Sequence, residues 1–207
     1  MATLIVTKDK GGVGRNTGMT VISPSEEVPD SALEAIGKGT GLDGVVLADM
    51  ISAMAMHERA AARFARAAVK QTEDGGFRKM HASLADVYKE RVSALETLLT
   101  KLKLPRLYVS PVARVAHYVA EHTAHVGLVA GSARKQAMEL ALIEVAFSLA
   151  QRSLANAETL AAIAKTAKAG NTRTLLENTV KTLTADTTAL ENLREVRTLA
   201  MVNAAKE

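Results

Sequence analysis

A group of histidine and glutamate side chains with regular spacing is the first candidate for chemistry in this sequence. His117, Glu121 and His125 recur every four residues, so on a helix they lie along one face. Neighbours four residues apart can share a metal ion, but the outer two are about 12 Å apart at the helical rise of about 1.5 Å per residue. One ion therefore cannot bind all three. Two of them with a residue from elsewhere could hold zinc, and a polar or pH-responsive contact surface is the role that we favour.

A glycine-rich stretch near the N-terminus, KGGVGRNTG at residues 10–18, raises the prospect of phosphate binding. A phosphate loop needs a lysine followed by serine or threonine, and a helix directly after it. Arg15 and Asn16 occupy those two places, and the MTVISPSEEVP that follows is β-branched and contains two prolines. We therefore expect no nucleotide binding. Instead, TLIVT at residues 3–7 and MTVIS at 19–23 predict the two short strands of a β-hairpin.

The composition favours a soluble globular protein. Of the 207 residues, 48% are apolar, 23% are charged, 3% are aromatic and none is cysteine, which excludes disulfides and thiolate metal sites. The formal net charge is +4, but basic and acidic residues alternate and aromatic residues that could stack on bases are scarce, so we expect no nucleic-acid partner. Without an uncharged apolar run of about 18 residues or a signal-peptide pattern, we expect no membrane span and a cytoplasmic location.

Helical periodicity is nearly continuous after residue 42. Residues 1–42 are rich in glycine, proline, serine and threonine and form a predicted N-terminal arm, in which SALE at 31–34 indicates a short helix. Long helices are predicted over about residues 43–72, 77–103, 132–169 and 172–205. A shorter helix is predicted to begin at about residue 111 and to end between residues 127 and 131. Glycine or proline marks the predicted boundaries, at Gly75-Gly76, Pro105, Ser110-Pro111 and Gly170.

Loop lengths predict how these helices are connected. Tight turns join the first two long helices and the last two, so each pair is expected to form an antiparallel hairpin. About 28 residues, 104–131, separate the two hairpins, and a partly helical segment of that length can run along a bundle. The sequence therefore predicts that residues 43–207 form an all-α four-helix bundle with one long crossover, the ferritin-like arrangement.

Three stretches of the chain resemble bacterial ferritin-like proteins. MHERAAARFARAA at 56–68 is similar to the first bundle helix of that family, LYVSPVAR at 107–114 to its linker, and ELALIEVAFSLAQRSLANAETL at 139–160 to its third bundle helix. The likeness covers roughly residues 45–200. It implies a di-metal centre of carboxylates and histidines in the middle of the bundle, with Glu58 matching the carboxylate of the first helix.

The other ligands of such a centre are missing from the sequence. A di-metal carboxylate centre takes one glutamate from each of two helices and a Glu-x-x-His pair from each of the other two. No histidine of this chain has a glutamate three residues before it. The expected ligand positions on the other helices hold Val87, Arg91, Ala150, Leu154, Thr187 and Leu190. We therefore expect that the di-metal site is lost and that no cofactor is bound.

Arg91 is the residue that we expect to replace the metal. Glu58 and Arg91 are equally far from the turn between the first two long helices, so they should lie level and face each other. An inward glutamate without a partner is costly or takes up a proton, whereas a guanidinium can bind it through two hydrogen bonds. We predict a structural core pair of Glu58 and Arg91, with Asp186 as a candidate third member. The alternative is that one of the two long side chains turns to the surface.

Two functions remain open at this point. The first is a non-catalytic ferritin-like bundle that acts as a self-assembling structural or partner-binding protein. The alternative is a ferritin-like di-iron oxidoreductase or iron-binding protein with an atypical site. Hydrolase chemistry is not indicated, because the sequence contains no nucleophile-elbow motif. We expect a homo-oligomer assembled through the N-terminal arm, because an unpaired strand edge in TLIVT or MTVIS can pair with another subunit.

Overall fold

The computed structural model describes residues 30–106, 108–129, 135–185 and 187–205, and the regular structure of these residues is helical throughout. The helices are α1 (Asp30–Thr40), α2 (Gly44–Gln71), α3 (Gly75–Lys101), α4 (Pro111–Val129), α5 (Lys135–Thr166), α6 (Asn171–Ala185), α7 (Thr188–Glu191) and α8 (Leu193–Ala204). The predicted all-α class is confirmed for this part of the chain. The predicted β-hairpin and the KGGVGRNTG stretch lie outside the described residues.

Side-chain caps begin three of the long helices. Asp43 accepts hydrogen bonds from the amides of Val45 and Val46 at 2.9 and 3.0 Å and so begins α2, and the Ser110 hydroxyl oxygen accepts from the Ala113 amide at 3.0 Å at the start of α4. The Asp74 carboxylate does the same for α3, accepting from the amides of residues 76 and 77. The expectation that Gly75-Gly76 ends α2 is therefore wrong, because this cap makes the two glycines the first turn of α3.

The last predicted helix, residues 172–205, is divided into α6, α7 and α8. No glycine or proline marks the division between α6 and α7. The sequence there is TADTT at 184–188, and threonine and aspartate are residue types of low helix propensity. The periodicity continues across these residues, which is why the sequence predicts one helix.

Helix α1 packs into the body of the molecule. Leu33 and Ile36 are buried and belong to the same apolar cluster as the first turns of α2. The two helices approach so closely that a Cβ atom at Gly44 would lie 2.0 Å from the Leu33 carbonyl oxygen, so only glycine fits there. The buried face of α1, which belongs to the predicted arm, is thus part of the core.

The core consists of two apolar clusters placed end to end. The first is formed by α1, the first half of α2, the last part of α3, the last half of α5, and α6. The second is formed by the last half of α2, the first half of α3, α4, the first half of α5, and the residues around α7. Among the described residues no single helix is long and apolar enough to cross a membrane; α1 and α2 meet those criteria only as a pair bent by 98°.

Candidate functional site

A layer of buried polar side chains separates the two apolar clusters. It contains Glu58 of α2, Arg91 of α3 and Ser153 of α5, which are 1%, 2% and 0% exposed. Arg91 Nε lies 3.3 Å from Glu58 Oε2, and the Ser153 hydroxyl donates a hydrogen bond to Glu58 Oε1 at 2.6 Å. Each carboxylate oxygen of Glu58 therefore lies against a positively charged or a hydrogen-bond-donating group.

The remaining nitrogens of Arg91 extend the layer to backbone groups. Arg91 Nη2 donates to the carbonyl oxygen of Ser153 at 2.8 Å, and Nη1 donates to the carbonyl oxygen of Leu183. Leu183 lies in the last turn of α6, where carbonyl groups lack the amide of a following turn. One guanidinium thus connects α2, α3, α5 and the end of α6.

Tyr88 borders this layer one helical turn before Arg91. It is 1% exposed. Burial, and to a smaller extent the charge of Glu58, raise the pKa of its hydroxyl well above the usual range, and Arg91 opposes that shift. Among the described residues the hydroxyl oxygen has no hydrogen-bond partner. The phenol therefore keeps its proton at neutral pH.

The donor set of this layer does not fit the di-metal centre that the ferritin-like resemblance implies. Glu58 supplies a single carboxylate, and its oxygens already face Arg91 and Ser153. In the part of the chain that the structure describes, no three His, Cys, Asp or Glu side chains are placed to hold a metal ion. Of the expected ligand positions, the buried ones besides Arg91 are Val87, Ala150 and Leu190.

The sequence predicts that Glu58 and Arg91 lie at one level of the bundle, but it does not predict that Ser153 joins them. It assigned the matching level of α5 to Ala150 and Leu154, whereas Ser153 is the residue that points to Glu58. The helical spacing of α5 could have indicated Ser153, because one inward face of this helix consists of residues 149, 150, 153, 157 and 160. Asp186, the candidate third member, lies outside the described residues.

The predicted contact surface on α4 is organised around an arginine. Arg63 of α2 pairs with Glu121, and its Nη2 lies 3.5 Å from His117 Nδ1. Burial lowers the pKa of His117; Glu121 opposes this shift, and the charge of Arg63 adds to it. His125 is exposed on the same helix. The structure therefore joins His117 and Glu121 through Arg63 and leaves His125 apart.

His57 precedes Glu58 in the sequence, but its side chain contacts α5 at a different place. Its Nε2 lies 3.0 Å from the carbonyl oxygen of Leu149. A carbonyl oxygen can only accept, so Nε2 carries the proton and Nδ1 keeps its lone pair. Burial is the main cause that lowers the pKa of His57, and the ring is therefore neutral at pH 7. The sequence contained no signal for this contact.

Comparison of the chain with protein-family models, with curated proteins and with solved structures finds no match. What the protein does must therefore be inferred from its own residues.

Proposed function

We propose that the chain is a non-catalytic ferritin-like helical bundle that assembles with itself or binds a protein partner, and that a buried polar layer takes the place of the di-metal site. The observation that carries this proposal is the environment of Glu58. Its oxygens face the Arg91 guanidinium and the Ser153 hydroxyl instead of further carboxylates. Oε1 accepts the Ser153 hydrogen bond, whereas Oε2 is held by its charge contact with Arg91 and accepts no hydrogen bond among the described residues. A buried carboxylate neutralised by a guanidinium in this way suits a structural group.

The layer has a structural role that suits a bundle of long helices. If only apolar contacts joined the long helices, one helix could slide along another, because apolar contacts are not directional. The hydrogen bonds of Arg91 to the carbonyl oxygens of Ser153 and Leu183 fix α3 against α5 and α6 at one level. Buried hydrogen bonds to fixed backbone oxygens favour one arrangement of the helices over its neighbours.

Apolar side chains on the outside of the bundle support the assembly part of the proposal. Exposed examples that lie on two helices are Tyr118 and Val126 of α4, and Leu199, Met201 and Val202 of α8. Contiguous exposed apolar surface marks protein contacts, and we propose these side chains as the members of such a surface. We place the protein in the cytoplasm as a homo-oligomer, with residues 1–29 as the further assembly element.

Elemental analysis and light scattering on the full chain test both parts. Protein purified without added iron is expected to hold much less than one metal ion per chain and to form an oligomer. Stoichiometric iron or manganese that is lost in Glu58→Ala would favour the alternative of a di-iron oxidoreductase, and a monomer in solution would contradict assembly.

The role of the arm is tested by a deletion that ends at Pro29. It must not extend further, because Leu33 and Ile36 belong to the core. We expect the shortened chain to keep its helical circular dichroism and to form smaller oligomers. An unchanged mass in light scattering would assign assembly to the helical surface alone.

A further inference from the structure

A cleft on the surface of the molecule runs between α4 and α5, with α2 as its floor. Its main cavity has a volume of about 410 Å³, and a second cavity of about 190 Å³ adjoins it. The two cavities share Ala53, His57, Val112, Ala116 and Arg152 as lining residues. Cavities of about 300–1,000 Å³ are typical of sites for small molecules.

One wall of the cleft is apolar and incompletely covered. Val112, Val115 and Val119 follow one another along α4 at helical spacing and are 50%, 64% and 57% exposed. Leu149 of α5 and Ala120 of α4 complete the apolar lining. A ligand with an apolar chain would remove these side chains from water, which is the favourable term in most small-molecule binding.

The charge at the cleft indicates which polar group such a ligand should carry at the end of its apolar chain. Among the described residues that line the two cavities, Arg152 is the one with a formal charge, and none of them is aspartate or glutamate. Arg152 is exposed and forms no ion pair with any described residue, so its guanidinium is open to a ligand. His57 lies close enough to Arg152 for that charge to lower its pKa. The cleft therefore combines an apolar wall with one unpaired cation.

We infer that this cleft binds a small amphiphilic carboxylate, an acid with a single apolar chain. The carboxylate pairs with Arg152, since a guanidinium binds a carboxylate through two parallel hydrogen bonds. The chain lies against the three valines. The inference goes beyond the proposed assembly, whose described surface consists of α8 with Tyr118 and Val126, and these residues are not among those that line the cleft. Failure of either proposal leaves the other standing.

The test is titration of decanoate into the full-length protein, below the concentration at which decanoate forms micelles. We expect saturable binding with one site per chain in calorimetry and a shift of the His57 imidazole signals in NMR. Decanol and decyltrimethylammonium have the same chain without the negative charge. We expect both to bind at least about tenfold more weakly, the effect of losing one charge-assisted hydrogen bond.

Two substitutions locate the binding within the cleft. Arg152→Gln is expected to weaken decanoate by at least about tenfold and to leave decanol within about twofold. Val119→Asp places an acid on the apolar wall and should abolish decanoate binding. Arg66→Gln is the matched control, because Arg66 is also exposed and unpaired among the described residues but lies outside the cleft. Circular dichroism checks that each variant is folded.

Several results would overturn the inference. Equal decanoate affinity of the wild type and Arg152→Gln is one, and equal affinity for the three probes is another. Unchanged His57 signals at saturation would place the ligand elsewhere. Decanoate affinity that falls as the protein concentration rises would mean that the cleft is a contact between copies of the chain, which also excludes a ligand site.

Discussion

The bundle contains the same kind of ion pair in two different environments. Arg91 and Glu58 meet in the buried layer, where their side chains are 2% and 1% exposed. Arg63 and Glu121 meet between α2 and α4, where the corresponding values are 53% and 43%. Water can replace a lost partner at the second place but not at the first. The consequences of breaking the two pairs should therefore differ, although the chemical groups are the same.

The largest expected effect follows from Arg91→Leu. This substitution leaves the Glu58 carboxylate buried without its counter-charge and removes the donors to the Ser153 and Leu183 carbonyl oxygens. We expect the free energy of unfolding to fall by about 3–5 kcal/mol, measured by urea denaturation at pH 7.

The double variant Glu58→Met/Arg91→Leu is the control for this prediction. It removes both charges at once, so it should recover much of the lost stability. Recovery should be incomplete, because the two carbonyl oxygens still lack their donors. Equal stability of the single and double variants would show that the two side chains do not interact.

The level of this pair could be predicted from the sequence, because a helical hairpin is nearly symmetric about its turn. The positions of Glu58 and Arg91 follow from counting residues away from residues 74 and 75. The starts of α2 and α4 could also be predicted, because Asp43 and Ser110 cap them through amides only two or three residues away.

Features that depend on contacts distant in sequence could not be predicted. The bond from Ser153 to Glu58 joins residues 95 positions apart, and its existence depends on the rotation of α5 about its own axis. A shift of one residue in that rotation moves the inward position from 153 to 154. The burial of α1 and the contact between His57 and Leu149 likewise depend on how closely whole helices approach each other.

His81 sharpens the comparison, because it is a buried polar group whose ring nitrogens accept or donate no hydrogen bond among the described residues. It is 0% exposed, its ring meets the Phe64 ring edge-on at 6.1 Å, and among the described residues neither nitrogen has a hydrogen-bond partner. Burial lowers its pKa from 6.5 to about 4. The unfolded chain therefore takes up this proton at a higher pH than the folded chain does.

Because the pKa of His81 is depressed in the folded state, the linked stability is complete above about pH 6.5 and is lost as the pH falls towards 4. The loss at pH 4 is about 3 kcal/mol. His81→Leu should remove this part of the pH dependence and leave the free energy of unfolding at pH 7 nearly unchanged or raised. Denaturation of both proteins between pH 4 and 7 measures the difference, and parallel pH profiles would contradict the prediction.

Ser153→Ala removes a neutral member of the buried layer and should have a smaller effect. Glu58 loses one hydrogen bond but keeps Arg91, so we expect a decrease of about 1.5–3 kcal/mol in the free energy of unfolding. Ser148→Ala is the matched control on the same helix, because Ser148 is exposed and its hydroxyl donates only to the Glu144 carbonyl oxygen. Equal effects of the two substitutions would mean that the Glu58 carboxylate does not depend on Ser153.

The smallest effect is expected at the exposed pair, where Arg63→Leu leaves Glu121 in water. We expect a decrease of about 0.2–1 kcal/mol in the free energy of unfolding, and this decrease should diminish in concentrated salt, which screens exposed charges. The pKa of His117 should rise, because the charge of Arg63 helps to lower it; NMR titration of the imidazole measures that change. A loss as large as that of Arg91→Leu, or one that salt leaves unchanged, would show that the pair between α2 and α4 is shielded from water like the pair in the buried layer. Either result would contradict the prediction, because the exposed fractions of the two pairs would then not determine the cost of breaking them.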